Sequence, residues 1–404
     1  MKTENKTENL LTFFCLYIAQ NLPMSFFSTV LPVIMRQEEF SLSLIGMLQF
    51  IKLPWIIKFF WSPVVDRYTV YLNDYKKCII FSELIYALLI LSLTFMNIKS
   101  DFMFIISILV ISFVASATQD IATDALAIRA FSNSDKSLLN SMQSMGSFGG
   151  SLIGGGFLLL LFKEIGWNNI IPYMSVFVVL AIIPLIINKN IVVKPENNRP
   201  KADKKDILRF FMQKTIWKHL IFLFMYYAGL IGILAMLKPY LVDLGYDMKS
   251  IGVMSGILGT FIGFVSSFTG GYIVRKIGLD ISRILFAVLI CFTTSYFLML
   301  SFIIPSKVLL YIGVMLLWGS YGFATIVVYT TAMNNVRQGR EGTDFTLQTV
   351  ITHLSGMCMA VFSGRIADMF GYKGLFAFEF SIAIISLLYV IYAYSNIKRI
   401  IFVR

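Results

Sequence analysis

Charged side chains are scarce in this sequence. Only 14% of its 404 residues are Asp, Glu, Lys or Arg, whereas 57% are hydrophobic. A water-soluble domain could not bury that much apolar surface, so the soluble fold classes are excluded. Histidine occurs twice and cysteine four times, and none of them stands at the spacing of a metal site or a disulfide framework. We therefore expect free thiols, no metal and no cofactor.

A nucleotide-binding loop is also absent, because no Gly-Lys-Ser/Thr sequence of the Walker type occurs, and nothing indicates a built-in ATPase. The chain contains instead a series of long apolar runs. A helix needs about 20 apolar residues to cross a bilayer, and twelve runs reach that length. We number them as spans 1 to 12, at residues 10–35, 43–65, 76–97, 102–130, 137–162, 168–188, 216–242, 248–274, 280–304, 307–334, 345–370 and 373–397. This pattern predicts an all-α membrane protein with twelve transmembrane helices.

The distribution of Lys and Arg orients these spans. Most of the basic residues lie in the N-terminal tail and in the loops on the same side of the membrane, so the positive-inside rule places both termini in the cytoplasm. The net charge of +12 then suits anionic lipid headgroups and does not imply nucleic acid. One hydrophilic connection, residues 189–214, separates six spans from six. We predict two six-helix pseudo-repeat halves, 1–188 and 215–404, joined by this cytoplasmic linker, which is the layout of secondary transporters.

Two carboxylates stand four residues apart inside span 4, at Asp120 and Asp124. Residues i and i+4 share one helix face. An ionisable group at membrane depth costs about 2.5–3.5 kcal/mol and usually faces a bundle interior or an aqueous cavity. Together with Glu83 in span 3, these acids are candidates for proton coupling, because burial favours a protonated carboxyl group. Asp124 has an alternative role as a latch of the inner gate, through an ion pair with Arg67 or Lys58.

Small residues are concentrated in spans 5 and 8. In span 5, Gly146, Gly150 and Gly154 recur at intervals of four, and span 8 repeats the spacing at residues 252–256 and 259–263. Small residues at this spacing let helix backbones approach closely. We expect either static packing or a smooth seam between spans 5 and 8 along which the halves rock.

The loop after span 2, residues 62–68, reads Ser-Pro-Val-Val-Asp-Arg-Tyr, and residues 270–278 after span 8 echo it faintly. Both segments resemble the loop motif of the major facilitator superfamily, in which an acid and basic residues follow a small residue at a tight cytoplasmic turn. The resemblance implies the major facilitator fold and makes Asp66 and Arg67 candidate gating residues.

A longer series of motifs narrows the family. The series comprises Gln-Asn-Leu-Pro at residues 20–23, Leu-Pro-Trp-Ile-Ile-Lys-Phe-Phe-Trp-Ser-Pro-Val-Val-Asp-Arg at 53–67 and Gln-Asp-Ile at 119–121. It closely resembles the muropeptide permease (AmpG-like) and acetyl-CoA transporter family of that superfamily. The resemblance implies inward transport driven by a proton gradient. Bacterial members carry anhydro-muropeptides, and eukaryotic relatives move acetyl-CoA.

Other polar residues of the spans are expected to line the substrate path. For Lys52 and Lys58, pairing with an acid is the alternative role, and for His353 the alternatives are a proton relay and a hydrogen-bonded core histidine. Arg365 either forms an outer salt-bridge cluster with Asp368 and Glu379 or receives an anionic group of the solute, together with Lys238. The substrate-binding candidates are Gln20, Asn21, Gln119, Lys52, Lys238, Tyr329, Gln348, His353 and Arg365.

These features predict a secondary active transporter, and specifically a proton-coupled importer of a muropeptide-like or other saccharide or peptide solute. We expect it to act as a monomer in the inner (cytoplasmic) membrane, with protons, lipids and a small-molecule substrate as its partners. An antiporter of acetyl-CoA or another bulky organic anion is the first alternative. A membrane-embedded transferase is the second, but the six-plus-six layout and the lack of a catalytic histidine pair argue against an enzyme.

Overall fold

The computed structural model of the protein describes residues 3–37, 48–98, 100–193 and 200–394. Within these ranges all the regular elements are helical and none is a strand, so the predicted all-α fold is confirmed. In chain order the α-helices are α1 (Thr3–Gln37), α2 (Leu53–Ile57), α3 (Ser62–Tyr68), α4 (Leu72–Ser92), α5 (Phe102–Ala130), α6 (Lys136–Leu152), α7 (Leu158–Ile165), α8 (Trp167–Leu180), α9 (Ile183–Ile187), α10 (Asp206–Phe211), α11 (Ile216–Met225), α12 (Ala228–Asp243), α13 (Met248–Ile251), α14 (Thr260–Ile277), α15 (Leu279–Leu300), α16 (Lys307–Asn334) and α17 (Glu341–Tyr394).

Ten helical segments of the described residues are long and apolar enough to cross a membrane. Helix α17 contains two of the predicted spans, 11 and 12. They are separated at Gly371, where the backbone leaves the helical conformation with a φ of 66°. Glycine tolerates this positive φ, and it therefore marks the turn between spans 11 and 12. Span 2 is the other difference: its described part consists of α2 and α3 with short 3₁₀ segments at Leu48–Lys52 and Lys58–Phe60.

Several spans are interrupted, and local sequence explains where. Pro54 stands in the first turn of α2, where a missing N–H group costs no hydrogen bond. Spans 5 and 8 each contain a π-helical stretch, Ile153–Phe157 and Gly252–Gly259, and both stretches are rich in glycine. Span 7 is divided into α11 and α12 at Tyr226 and Tyr227.

The described chain forms two compact units. The first comprises Met1–Ser132, Met145–Leu208 and Val336–Leu347, and the second comprises Asn133–Ser144, Arg209–Asn335 and Gln348–Arg404. The predicted sequence halves at 1–188 and 215–404, with their linker, stay a prediction.

The first unit is packed around α1, α4, α5 and α8. Aromatic rings meet edge to face across these helices, as Phe27 and Trp167 do with ring centroids 6.0 Å apart. The indole of Trp167 also donates to the carbonyl of Leu93 at 3.0 Å, which satisfies its N–H group inside the core. In lipid such packing, rather than hydrophobic exclusion from water, holds helices together.

The glycines of span 5 lie against α1. A Cβ atom at Gly146 would be 2.6 Å from the Cβ of Tyr17, and a Cβ atom at Gly154 would be 2.1 Å from the carbonyl oxygen of Leu22. In the second unit, Gly259 of span 8 accommodates the indole of Trp318 on α16. The described close contacts of these glycines are therefore packing contacts within each unit.

Candidate functional site

The two acids of span 4 lie in the interior of the first unit. Asp120 and Asp124 are 3% and 2% exposed, so neither faces the lipid side of α5. Their neighbours on the same face are buried as well, and they define what we call the α5 polar cluster. Its members are Tyr17, Gln20, Lys58, Gln119, Asp120 and Asp124.

Lys58 forms a buried ion pair with Asp120. The lysine is only 2% exposed and its ammonium lies 4.8 Å from the ring centroid of Trp55, so an aromatic face and a carboxylate share its charge. Lys58 stands where α2 gives way to a short 3₁₀ segment. The sequence predicted an ion pair of Lys58 with Asp124, whereas in the structure Lys58 forms its ion pair with Asp120.

Asp124 accepts a hydrogen bond from the hydroxyl group of Tyr17, at 2.8 Å. Beside it, the amide of Gln20 donates to the side-chain oxygen of Gln119. The Nε2 atom of Gln119 is itself buried and has no hydrogen-bond acceptor. Buried amide donors are normally satisfied, so this atom is a free donor inside the cluster.

The other candidates of the first unit have different surroundings. Glu83 on α4 is completely buried, and neither of its carboxylate oxygens has a hydrogen-bond partner. Asn21 donates to the carbonyl of Tyr17 in its own helix, at 2.9 Å. Lys52 is half-buried at the end of a 3₁₀ segment, and no partner of it is described.

Asp66 caps the first turn of α17. Its carboxylate accepts from the backbone N–H of Gly342 at 2.9 Å and from that of Thr343 at 2.7 Å, and the hydroxyl of Thr343 adds a third bond at 2.6 Å. A carboxylate at this position accepts hydrogen bonds from N–H groups that have no partner within the helix. Its negative charge also interacts favourably with the positive end of the helix dipole. The bonds join residues 276 and 277 positions apart in the chain. Arg67, in contrast, is exposed and has no described partner.

The pKa of the Asp66 carboxyl group is the net result of opposing influences. Burial is the largest influence and raises the pKa of this carboxyl group from 3.8 to about 7, although the hydrogen bonds from Thr343 and Gly342 act in the opposite direction. The nearby acid Glu341 contributes to this increase. The loop after span 2 therefore contains a group that titrates near neutral pH.

Two arginines fix the loop that precedes α17. Arg337 forms two bonds with the carboxylate of Asp344, at 2.8 and 2.6 Å, and donates to the carbonyl of Asp206. Arg340 donates to the carboxylate of Asp206 at 3.0 Å. The first turn of α17 is thus tied both to the end of the linker and to Asp66.

The candidates of the second unit do not form one cluster. Gln348 is buried and bonded to His219 and to the carbonyl of Asn335. Tyr329 is half-buried on α16, and the side chains of Lys238, His353 and Arg365 are exposed.

Sequence reasoning missed several participants. Tyr17 resembles any other aromatic residue of span 1, and His219 stands close to a predicted membrane edge. Only the fold shows that they contact Asp124 and Gln348. Among the described residues no group of three His, Cys, Asp or Glu side chains could hold a metal ion.

Comparison with known proteins identifies the fold and the family. The model of the Major Facilitator Superfamily matches residues 10–357. The chain is 23% identical over 97% of its length to a putative transporter, AmpG 4, of Rickettsia conorii, of which 98% is covered. It is 22% identical over 91% of its length to the anhydromuropeptide permease of Escherichia coli K12, of which 76% is covered.

Solved structures agree on the fold. A bacterial homologue of the iron transporter ferroportin, in its outward-facing state, superposes with a TM-score of 0.71 at 15% identity, over 97% of this chain and 100% of that one. The human organic anion transporter MFSD10 gives a TM-score of 0.70 at 12% identity, over 95% of this chain and 99% of that one. The expected resemblance to AmpG-like proteins is confirmed, and the protein is a multi-pass membrane transporter rather than an enzyme. The chain belongs to the major facilitator superfamily.

Proposed function

We propose that the protein is a proton-coupled importer that carries a muropeptide-like solute across the cytoplasmic membrane, with both termini in the cytoplasm. The observation that carries this proposal is the α5 polar cluster, in which two buried acids share one helix face, one in contact with the ammonium group of Lys58 and the other with the hydroxyl group of Tyr17. Ionisable groups within membrane spans are costly and mark ion or substrate paths. The similarity to a permease for anhydromuropeptide supports the choice of solute.

We assign the exchanged proton to Asp124. The cluster contains two carboxyl groups and one ammonium group, that of Lys58, which contacts Asp120, so ionisation of both acids gives these three groups a net charge of −1. Uptake of one proton at Asp124 removes this charge from a low-dielectric site. It also converts a charge-assisted bond from Tyr17 into a weaker neutral one, which weakens the contact between span 1 and span 4. Protonation and helix movement are coupled in this way.

The amides of the cluster suit a sugar-peptide solute. Gln119 offers an unpartnered N–H donor, and Gln20 and Gln119 can exchange their mutual bond for bonds to hydroxyl or amide groups of the solute. A site built to bond such groups rejects solutes that lack them, because its buried polar atoms would remain unpaired.

Uptake of labelled anhydromuropeptide into proteoliposomes tests the proposal. Wild-type protein should accumulate the solute when a proton gradient is imposed, and a protonophore should abolish accumulation. Asp124→Asn should lose accumulation but retain downhill exchange, because it cannot release a proton. The exposed Asp203 provides the matched control, and Asp203→Asn should behave as wild type. Full accumulation by wild type in the presence of the protonophore would refute the coupling.

The same preparation separates the proposal from its alternative. Thermal-shift measurements with anhydromuropeptides, CoA esters and short saccharides identify the solute, since a ligand of the native state raises the melting temperature. Counterflow driven by internal acetyl-CoA, without any dependence on pH, would establish an anion antiporter instead.

A further inference from the structure

The second unit also contains a buried acid, on the part of α17 that follows Gly371. Glu379 is completely buried, whereas Arg365 and Asp368, its expected partners in an outer salt-bridge cluster, are exposed. None of the ion pairs among the described residues includes Glu379. The predicted cluster is therefore wrong for this residue, and its carboxyl group needs another explanation.

The backbone of α12 makes room for this carboxyl group. A Cβ atom at Gly232 would lie 1.9 Å from the Oε1 atom of Glu379 and 2.4 Å from the hydroxyl oxygen of Ser363. A Cβ atom at Gly229 would lie 2.6 Å from the carbonyl oxygen of Glu379. Any other residue at these two positions would displace Glu379, so the two glycines and Ser363 form a cradle for the acid.

The hydrogen bonding of Glu379 is incomplete. Its Oε1 atom accepts from the hydroxyl of Ser363, but the buried Oε2 atom has no partner. An ionised carboxylate in such surroundings would lack both a cation and enough donors, and burial of that charge is strongly unfavourable. A carboxylic acid with its proton on Oε2 carries no charge and avoids this penalty.

We propose that Glu379, held by Ser363 and the Gly229–Gly232 cradle, is a second proton-binding site of the carrier, located in the second unit. Its role in coupling rests on the proposed transport function, but its protonation does not. No titratable side chain belongs to the cradle. Towards the outer end of the same helices, Asp243 and Tyr372 are bonded to each other at 2.6 Å and Tyr240 is buried. The other titratable groups there, Lys238, Arg365, Asp368 and Lys373, are exposed.

The break in span 7 supplies the movement that would open the site. Between α11 and α12 the helical bonding is interrupted, and carbonyl groups beside the break accept from side chains. Ser355 donates to the carbonyl of Phe224, and Ser386 donates to that of Tyr226 at 3.3 Å. A discontinuous helix whose freed carbonyls are satisfied in this way is a hinge. Displacement of α12 at this hinge would uncover Oε2 and release its proton.

Infrared spectroscopy of the purified full-length protein tests the protonation. A protonated carboxyl group gives a C=O stretching band distinct from the bands of a carboxylate. Wild type should show such absorption at neutral pH, and Glu379→Gln should lack the component that Glu379 contributes, so that the difference between the two spectra contains an acid band. Glu164→Gln, which alters an exposed acid, should give no such difference. An unchanged band in Glu379→Gln, or no band at neutral pH in wild type, would overturn the proposal.

Ser363→Ala provides a second variant in case Glu379→Gln does not fold. Loss of the hydroxyl donor should move the acid band to higher wavenumber, because the C=O group then accepts no hydrogen bond. A band at the wild-type position would show that the band does not arise from Glu379 in its cradle, and would overturn the proposal.

Counting protons taken up per solute in proteoliposomes separates the two proposals. Glu379→Gln should lower this ratio relative to wild type, while Glu164→Gln should not. An equal ratio in wild type and Glu379→Gln would overturn the coupling role of Glu379 and leave the proton-coupled importer standing. Solute uptake by wild type without any proton movement would refute the importer, while the infrared band would still decide whether Glu379 is protonated.

Discussion

At the residue scale, the choice of partner decides what each acid can do. The sequence does not distinguish Asp120 from Asp124, because both lie in span 4 and on the same helix face. Lys58 compensates the charge of Asp120, whereas Tyr17 gives Asp124 a hydrogen bond without a charge. In the proposed mechanism Asp124 is the group that exchanges a proton, and Asp120 is the partner of Lys58.

Asp66 leads to a prediction about pH. Its pKa rises from 3.8 to about 7 on burial, so the native state keeps a proton that the unfolded chain has released. The contribution of this group to the free energy of unfolding is therefore largest below about pH 4 and falls as pH rises to about 7, by at most about 1.4 kcal/mol per pH unit. Asp66→Asn cannot titrate and should lose this slope.

Thermal unfolding in detergent at a series of pH values measures the effect. Wild type and the exposed control Asp203→Asn should show the same decline in stability between about pH 4 and about pH 7, and Asp66→Asn a shallower one. Parallel curves for wild type and Asp66→Asn would contradict the assignment.

At the scale of elements, the contact of span 5 with α1 depends on backbone proximity. A Cβ atom at Gly154 would lie 2.1 Å from the carbonyl oxygen of Leu22, and this clash involves backbone atoms that cannot rotate away. A Cβ atom at Gly156 would have no neighbouring atom within 4 Å. The two positions belong to the same π-helical stretch and so form a matched pair.

Gly154→Ala should destabilise the protein and Gly156→Ala should not. Alanine is favoured over glycine within helices by about 1 kcal/mol, so Gly156→Ala should be neutral or slightly stabilising. At Gly154 overpacking should outweigh this gain and cost about 1–3 kcal/mol. Thermal unfolding of the two variants measures the difference, and equal melting temperatures would show that α1 does not approach span 5 so closely.

At the scale of the whole molecule, the uneven distribution of basic residues and the contacts of the loops are consistent with each other. Asp66 follows span 2, and Gly342 precedes span 11; the positive-inside rule places both loops on the cytoplasmic side. The structure brings these two residues within hydrogen-bond distance, which agrees with a topology that has both loops on the same side of the membrane.

Reporter fusions test this topology directly. Alkaline phosphatase fused after Ile304, the last residue of span 9, should be active because the enzyme folds only in the periplasm. The same enzyme fused after Lys214, at the end of the linker, should be inactive, and a fluorescent protein at that point should fold. The opposite pattern would reverse the orientation and with it the predicted direction of import.

The sequence by itself determined the class of the protein, the positions of its spans and the shared helix face of Asp120 and Asp124. Each of these depends on hydropathy or helical periodicity over a few tens of residues. The family could also be predicted, because its motifs lie in short segments such as residues 53–67.

Only the tertiary structure decided which groups meet. The pairing of Lys58 with Asp120, the cap that Asp66 places on α17 and the burial of Glu379 against Gly232 join residues that are 62, 276 and 147 positions apart. A buried charge takes whichever partner the packing of helices brings near, and local sequence does not contain that information. For the same reason the exposure of His353 and Arg365 could not be read from their spans, and their place on the substrate path stays a prediction.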